Sequence, residues 1–211
     1  MPQTELLTGM ADVFAYCVEH DRGLAPNPFF GVCSLAVCKP AFRKAARRGD
    51  YVVGTSSYDK RKGGVGGRVI YVMQVTEKIG FDDYWRDPRF QRKRAKMGGS
   101  RLQRCGDNIY HRDLATGDWI QEDSLHRHAD GRISLADRDT DTGHTDRVLL
   151  SDRFTYWGDR APMLPPHLAM FGRFGVRSRR HFEAPNIAAF IAWATPLIGQ
   201  GRIGLPIDWR Q

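Results

Sequence analysis

The fold is decided by the stretch from Cys38 to Trp85, which has the sequence CKPAFRKAARRGDYVVGTSSYDKRKGGVGGRVIYVMQVTEKIGFDDYW. Pro40 predicts the first turn of a short basic helix, and Gly49 suits the left-handed residue that ends it. A brief strand is predicted at Tyr51–Gly54. After an exposed Gly-rich loop, Arg68–Thr76 has the strongest strand pattern in the chain, because it is mostly β-branched and aromatic. A second short helix completes the unit.

The first of these helices has one apolar face. Its apolar side chains fall together at Phe42, Ala45 and Ala46. The basic side chains fall largely outside that face, at Arg43, Lys44, Arg47 and Arg48. We therefore expect the basic residues to be exposed, with Lys39, Arg43 or Arg47 able to hold a phosphate.

The order of these elements resembles that of PUA-like barrels, particularly their EVE and YTH branches. The resemblance is confined to residues 38–85 and rests on the order helix, Gly-Asp, strand, loop, strand, Val-Thr-Glu-Lys and helix. In those families, strand ends and the loops above them form a pocket for a modified or flipped base. The resemblance implies an α+β domain around a PUA-like mixed β-barrel. The alternative is a structural hairpin beside a solvated basic helix.

The length of 211 residues suits a single domain, 1–211, that carries insertions. We expect a PUA-like core at about 12–85 with a first strand near Val13, and a hairpin and loop insertion at about 105–146. A C-terminal strand and helix are expected at about 147–211. The clearest helix lies there, because apolar residues recur at helical spacing at Ile187, Phe190, Ile191, Ala194 and Leu197.

The chain is basic, with a formal net charge of +8. Arginine dominates its clusters FRKAARR, FQRKRAK and FGRFGVRSRR, and arginine both binds phosphate in a bidentate manner and stacks on bases. Such fields attract polyanions. The expected partner is therefore a nucleic acid or nucleotide, with DNA favoured. The alternative is a solvated basic face.

Other compositional features narrow the class of protein. The sequence contains no run of 18 apolar residues and none of its four cysteines stands in a CxxC motif. We expect no membrane association, reduced thiols and a cytoplasmic location. The glycines match neither a P-loop nor a dinucleotide fingerprint, and no cofactor is expected. The oligomeric state is left open.

The densest basic cluster follows the deciding stretch. It has the sequence FDDYWRDPRFQRKRAKMGG, in which Phe81 is expected to open a helix that Pro88 breaks or bends. Its basic residues are Arg86, Arg89, Arg92, Lys93, Arg94 and Lys96. With Trp85 and Phe90 interleaved, they suit a groove that follows a nucleic-acid backbone. A plain amphipathic segment would have the same pattern.

A polar hairpin is predicted in residues 105–131, CGDNIYHRDLATGDWIQEDSLHRHADG, with strands on either side of the turn ATGD. Its ends carry many carboxylates and imidazoles, and three hypotheses compete. In the first, His111 and His126 act as acid and base, and Asp107 or Asp123 orients an imidazole. In the second, alternating His126, His128 and Asp130 bind a metal with His111. In the third, all are structural. We favour the first over the second and predict no metal.

Further residues are predicted to contact a ligand. The candidate edge-reading groups are Asn27, Ser56 and Asn108. The candidates for stacking on a base are Phe30, Trp85, Trp119, Tyr156 and Trp157. Tyr110 and Ser124, both in the polar hairpin region, are further candidates. Ser124 could act as a nucleophile beside His126, but no Gly-x-Ser-x-Gly elbow supports that role. Residues 133–146, rich in Asp and Thr, are expected to form an excursion loop.

Several phrases, in order, resemble the family called nucleotide modification associated domain 2: HDRGLAPNPFFGVCSLAVCKPAFRKAARRGDYVVG, VTEKIGFDDYW, RFQRKRA, GDNIYHRD, WIQEDSLH and VLLSDRFTYWG. The similarity runs from about Val13 to Trp209. The residues that we single out within the phrases are Asp21, Asn27, Pro28, Lys39, Pro40, Arg43, Asp50, Asp107, Asn108, Tyr110, His111, Asp123, Ser124 and His126. The resemblance implies chemistry on nucleotides or recognition of modified ones, in a DNA-modification or phage-defence context.

Three functions follow as hypotheses. The first is a module that binds a modified nucleobase or nucleotide in nucleic acid. The second is an enzyme that modifies or hydrolyses a nucleobase or nucleotide through His111 and His126. The third is a basic structural or partner-binding protein.

Overall fold

The computed structural model of the chain describes residues 11–57, 66–128, 130–172, 178–179 and 181–210. The predicted Gly-rich loop falls largely at 58–65, outside the described residues, and so does most of the basic segment at 171–180. No helix in the described part is long and apolar enough to cross a membrane.

The described residues alternate between short strands and short helices. The strands are β1 (Val13–Val18), β2 (Cys33–Leu35), β3 (Tyr51–Ser56), β4 (Val69–Gln74), β5 (Glu77–Ile79), β6 (Tyr110–Arg112), β7 (Trp119–Gln121), β8 (Val148–Ser151), β9 (Arg153–Tyr156), β10 (Ser178–Arg179) and β11 (Gly201–Arg202). The α-helices are α1 (Pro40–Ala45), α2 (Phe81–Arg86), α3 (Arg101–Arg104), α4 (Leu135–Gly143) and α5 (Ala184–Ala194). Short 3-10 helices cover Pro88–Lys93, Gly158–Arg160, Pro166–Phe171 and Ile207–Arg210.

A mixed six-stranded sheet forms the centre, in the order β10-β1-β3-β4-β9-β11. β1 pairs in parallel with β3, and β3 pairs antiparallel with β4. The structure confirms the predicted strands near Val13, at Tyr51 and from Arg68. It also confirms the predicted α+β class of the chain. Within β3, Gly54 is required because a Cβ there would lie 2.4 Å from the Tyr71 ring.

The expected PUA-like barrel is not found, because the sheets formed by the described strands stay open. The central sheet ends in β10 and β11, which are two-residue strands paired on one side only. A second, antiparallel sheet has the order β2-β8-β5, and β6 and β7 form the predicted hairpin. The order of elements within residues 38–85 therefore predicted the pairing of β3 with β4 but did not predict whether a barrel closes.

The segment VLLSDRFTYW turns a corner between the two sheets. It forms two strands, β8 and β9, which lie in different sheets. Ser151 holds the corner, because its hydroxyl lies 2.6 and 2.7 Å from the carbonyl oxygens of Gln74 and Arg153, to either of which it can donate, and accepts from the Arg153 amide at 3.0 Å. A hydroxyl at this position can satisfy backbone groups that leave the ladder.

Two apolar clusters fill the interior. The first packs the central sheet against α5, whose buried residues Ile187 and Phe190 confirm the predicted C-terminal helix. The second joins α2 to the hairpin, where the rings of Phe81 and Tyr110 meet edge to face at 5.3 Å. The hairpin is thus anchored through its apolar residues, which leaves its polar ends to face other elements.

Two expectations near the hairpin are wrong, and they share a cause. The segment at 133–146 is not a loop but contains α4, which starts where the Ser134 hydroxyl accepts from the Asp137 amide. Arg43 is not exposed but has none of its surface accessible to solvent. The two errors belong together because Arg43, on α1, forms an ion pair with Asp141, on α4, at 3.0 Å.

Candidate functional site

A cavity of about 330 Å³ opens between β1, the loop that follows it, the start of α1 and the segment after the hairpin. This volume lies in the range of small-molecule sites. Lys39 and His126 line it together with Tyr16, and Leu24 and Leu125 supply apolar wall. We call this cavity the Lys39–His126 pocket. It brings a cation and an imidazole to one partly apolar space.

Lys39 enters the pocket from a strained turn. Cys38 and Lys39 are consecutive non-glycine residues in the left-handed region, with φ of 60° and 48°. Such conformations cost about 1–3 kcal/mol each and are concentrated at functional sites. Pro40 follows and starts α1. The Lys39 ammonium lies 4.9 Å from the centre of the Tyr16 ring, a cation–π contact at the pocket wall.

His126 is held from behind by a buried carboxylate. Its Nε2 lies 3.2 Å from Oδ2 of Asp141, whose side chain is 2 % exposed. The Tyr110 hydroxyl donates to the same oxygen at 3.1 Å, and Arg43 approaches the other oxygen. An imidazole fixed by a carboxylate has one ring nitrogen oriented and the other turned elsewhere. The arrangement can therefore bind a ligand or move a proton at His126.

Arg43 supports this site from inside the protein. Its Nε donates to the carbonyl oxygen of Cys38 at 2.9 Å, and its Nη1 donates to that of Arg147 at 2.8 Å. Its Nη2 donates to both the backbone and the carboxylate of Asp141. Burial lowers the pKa of Arg43, and the charge of Asp141 opposes that shift. Arg43, which was predicted to bind a phosphate, is thus buried and supports the Cys38–Lys39 turn from inside the protein.

The segment that carries His126 is fixed by its own neighbours. The Ser124 hydroxyl accepts from the His126 amide at 3.1 Å, and Ser124 is 1 % exposed. The Gln121 side-chain amide donates to the His126 carbonyl oxygen at 2.6 Å. These two bonds determine where the imidazole stands, so Ser124 positions His126 and does not face the pocket as a nucleophile.

The Cys38 thiol at the pocket is not an activated nucleophile. Burial, together with the nearby Asp141 charge, raises the pKa of Cys38 to about 12. The thiol therefore stays protonated at neutral pH. All four cysteines are free.

The sequence comparison agrees with the phrases quoted above. The family model for nucleotide modification associated domain 2 matches residues 10–211, which is nearly the whole chain. The chain belongs to this family. No curated protein and no solved structure matches it significantly. The family's description connects the chain with nucleotide modification, and the PUA-like resemblance gains no support.

In this member of the nucleotide modification associated domain 2 family, five predicted site residues meet at the pocket or directly behind it. They are Lys39, Arg43, Tyr110, Ser124 and His126. Asp141, which connects three of them, was missed. Its partner Arg43 is 98 residues away in the chain, and no local pattern marks one aspartate among the many of residues 137–146.

Asn27 and Asp107 lie in a second buried network. Asp107 accepts from the hydroxyls of Ser34 and Tyr84, at 2.6 and 2.8 Å. The Lys93 ammonium donates to Ser34 and to the Asn27 side-chain oxygen, at 2.9 and 2.8 Å. All five side chains are essentially inaccessible to solvent. Burial raises the pKa of Asp107 and lowers that of Lys93, and their mutual attraction opposes both shifts.

The four residues predicted as one catalytic set have four different surroundings. Asp107 is in the buried network, and His126 is at the pocket. The His111 Nε2 lies 2.9 Å from a carboxylate oxygen of Glu122, and its ring stacks on Trp85 at 4.2 Å. Asp123 is exposed and pairs with Arg127. Among the described residues, it is Asp141 that orients a predicted histidine at the pocket.

The predicted stacking residues have internal partners. The guanidinium groups of Arg92, Arg94 and Arg112 lie over Phe30, Trp85 and Trp119, at 4.4, 3.5 and 4.0 Å from the ring centres. Trp157 is 8 % exposed and Tyr156 is fully buried. Ser56, at the end of β3, accepts from the amide of Arg68. None of these residues lines the Lys39–His126 pocket.

Asp21 fixes the loop beside the pocket. Its carboxylate accepts from the Tyr156 hydroxyl, at 2.6 and 2.7 Å, and from the Ile207 amide at 3.0 Å. Burial raises the pKa of Asp21 to about 6, although these hydrogen bonds lower it. The loop between β1 and β2 is thereby tied to the C-terminal segment.

The metal hypothesis has no structural support where the chain is described. Within that part, no group of three or more His, Cys, Asp or Glu side chains is arranged to hold a metal ion. His126, the central ligand of that hypothesis, is paired with Asp141.

Proposed function

We propose that this chain binds a nucleotide with a modified base in the Lys39–His126 pocket. One observation carries the proposal: Lys39 and the Asp141-held His126 face the same cavity of about 330 Å³. The family's connection with nucleotide modification supplies the class of ligand. This makes a nucleotide the partner, either free or within DNA.

The chemistry of the pocket fits a phosphate-bearing heterocycle. The Lys39 ammonium supplies a charge-assisted bond to a phosphate, and Arg22, which lies 3.9 Å from Asp208, adds a second cation at the rim. Leu24 and Leu125 offer an apolar surface for a ring. Because Nε2 of His126 faces Asp141, its Nδ1 is the nitrogen suited to contact the ligand.

Isothermal titration calorimetry tests the binding. The probes are the four deoxynucleoside 5′-monophosphates and 5-hydroxymethyldeoxyuridine 5′-monophosphate as a modified representative. We expect Lys39→Gln to weaken binding about 10- to 100-fold, because it removes one charge-assisted hydrogen bond. The matched control Lys44→Gln removes the same charge from an exposed position on the same helix and should change affinity less than about twofold.

Two results would contradict the proposal. One is an equal loss of affinity in both lysine variants, which would mean a diffuse charge effect. The other is the absence of binding by the unmodified chain to every nucleotide in the panel.

A second candidate function, enzymatic modification of the bound nucleotide, is favoured by the His126–Asp141 pair. A carboxylate-oriented imidazole at a pocket is suited to general acid–base catalysis. Mass spectrometry of nucleotides and oligonucleotides incubated with the chain would reveal a covalent change. His126→Gln should slow it by about 10²–10⁴-fold, and the exposed control His144→Gln should not. A chain that binds nucleotides without changing them is a binding module only.

A further inference from the structure

A second cavity contains two buried polar atoms without a protein partner. Oδ1 of Asn108 and Nε of Arg94 are both buried and make no hydrogen bond to any described residue. The two residues are neighbours, since they pair as an isolated parallel bridge. Both line a cavity of about 260 Å³, which shares no lining residue with the Lys39–His126 pocket.

The orientation of the Asn108 amide is fixed by its surroundings. Its Nδ2 donates to the carbonyl oxygens of Tyr84 and Phe90, at 2.8 and 3.3 Å. Since both partners are acceptors, only the NH₂ end can face them, and the oxygen is left as the unpaired end. Asn108 has no surface accessible to solvent. An unpaired buried acceptor of this kind is free to accept a hydrogen bond from a water or a ligand.

Arg94 supplies the complementary group. Its Nη2 donates to the carbonyl oxygen of Trp85 at 2.6 Å, and its guanidinium lies 3.5 Å from the centre of the Trp85 ring. Its Nε–H is left without a partner beside the flat Trp85 ring, in the residue that bridges to Asn108 along the backbone. A planar ligand with a donor next to an acceptor would satisfy both atoms. The edge of a nucleobase has this pattern.

The cavity is part of a longer basic surface. Two other depressions, of about 630 and 290 Å³, adjoin it, because Arg94 lines all three. The other cations along them are Arg86, Arg92, Lys96 and Arg112, and the carboxylates along them are Asp113, Glu122 and Asp123. Phe30 lies beneath Arg92 at one end, and Trp85 stands near the middle. Cations with interleaved aromatic rings are typical of surfaces that bind single-stranded nucleic acid.

We propose that this surface, which we call the Arg94 groove, binds a single-stranded segment of nucleic acid and takes the edge of one base between Asn108 and Arg94. The phosphates lie along the arginines, and the base fills the cavity of about 260 Å³. The proposal goes beyond the nucleotide pocket and does not depend on it, because the two sites are lined by different residues.

Fluorescence anisotropy with labelled strands of about 12 nucleotides tests the groove. A mixed-sequence DNA strand is compared with an abasic strand of the same length, which carries the same phosphates and no bases. We expect the unmodified chain to bind the first strand at least about tenfold more tightly. A duplex of the same sequence should bind more weakly than the single strand.

Variants then assign the effect to residues. Arg94→Lys keeps the charge but removes the Nε–H donor and the flat guanidinium, so it should abolish most of the difference between the two strands. Arg86→Gln should weaken both strands alike, by several-fold, and reduce the slope of log K against log salt by about 0.7. The control Arg132→Gln removes an equal charge from a residue that lines none of the three depressions, and it should leave both affinities within about twofold.

Several results would overturn the proposal. They are equal binding of normal and abasic strands, binding of the duplex as tight as that of the single strand, and no binding at low salt. Equal effects of Arg86→Gln and Arg132→Gln would also contradict it. Because Lys39→Gln leaves the groove intact, it should not change strand affinity by more than about twofold. A failure of the groove is therefore distinguishable from a failure of the pocket.

Discussion

The Lys39–His126 pocket and the Arg94 groove use charge in opposite ways. Behind the pocket, Arg43 and Asp141 are almost wholly buried and paired with each other. Along the groove, several cations are partly exposed and lie over aromatic rings. Buried pairs keep a fixed geometry and are insensitive to salt, whereas exposed cations suit a mobile polyanion and are screened. This difference in charge is the basis of our two proposals, a single small ligand at the pocket and a nucleic-acid strand along the groove.

The largest expected effect concerns the buried ion pair between Arg43 and Asp141. Asp141→Ala removes the partner of Arg43 and leaves an uncompensated charge in the interior. We expect the free energy of unfolding to fall by about 3–5 kcal/mol, measured by urea denaturation. The matched variant Asp123→Ala removes a carboxylate that is 56 % exposed and paired with Arg127, and it should cost less than about 1 kcal/mol. Similar costs for the two variants would show that the Arg43–Asp141 pair is not a structural support of the pocket.

The next effect concerns the pH dependence of protein stability, through Asp21 in the loop beside the pocket. The pKa of Asp21 is raised to about 6 by burial, and in the unfolded chain an aspartate ionises near pH 4. Between these values the folded state holds more protons than the unfolded state. The free energy of unfolding should therefore fall as pH rises from about 4 to 6, by up to about 2–3 kcal/mol from this residue.

Asp21→Asn isolates that contribution. Burial also raises the pKa of Asp50 and Asp107, so these two residues add to the pH dependence of stability in the same direction in both proteins. The informative quantity is the difference in slope between the two proteins from pH 4 to 6, obtained by urea denaturation at several pH values. Parallel curves would mean that Asp21 is not the buried acid described.

The smallest expected effect concerns an exposed ionic contact near the Arg94 groove. Glu122→Gln weakens the contact with His111 near the groove, where the Glu122 side chain is 44 % exposed. We expect the free energy of unfolding to change by less than about 1 kcal/mol and nucleotide affinity at the pocket to stay the same. Thermal unfolding together with calorimetry would check both. A loss comparable to that of Asp141→Ala would place His111, and not His126, in the pair that matters for the fold.

Local patterns in the sequence predicted much of the fold. β3, β4, the β6–β7 hairpin and α5 follow from alternation, turn residues and helical spacing, all of which act over a few residues. Barrel closure did not follow, because it depends on the pairing of edge strands far apart in the chain. α4 was missed because its Asp-rich segment lacks the apolar stripe of a typical amphipathic helix.

The site was predictable in part for the same reason. The sequence singled out Lys39, Ser124 and His126, which lie at or beside the candidate pocket, because charged and polar residues beside predicted turns are visible in the sequence. The expected exposure of Arg43 was wrong, because helix patterning assigns arginine to the solvent face and its partner Asp141 is 98 residues away in the chain. Likewise, the aspartates predicted to orient the histidines have other partners. Ionic pairing between residues far apart in the chain could not be predicted from the single sequence.

The central claim is tested most directly by a crystal structure of the chain with 5-hydroxymethyldeoxyuridine 5′-monophosphate at saturating concentration. The account predicts the nucleotide in the Lys39–His126 pocket, with a phosphate oxygen about 3 Å from the Lys39 ammonium and a ligand atom at a similar distance from Nδ1 of His126. A nucleotide seated in the Arg94 groove, or anywhere else, while the pocket stays empty would contradict it.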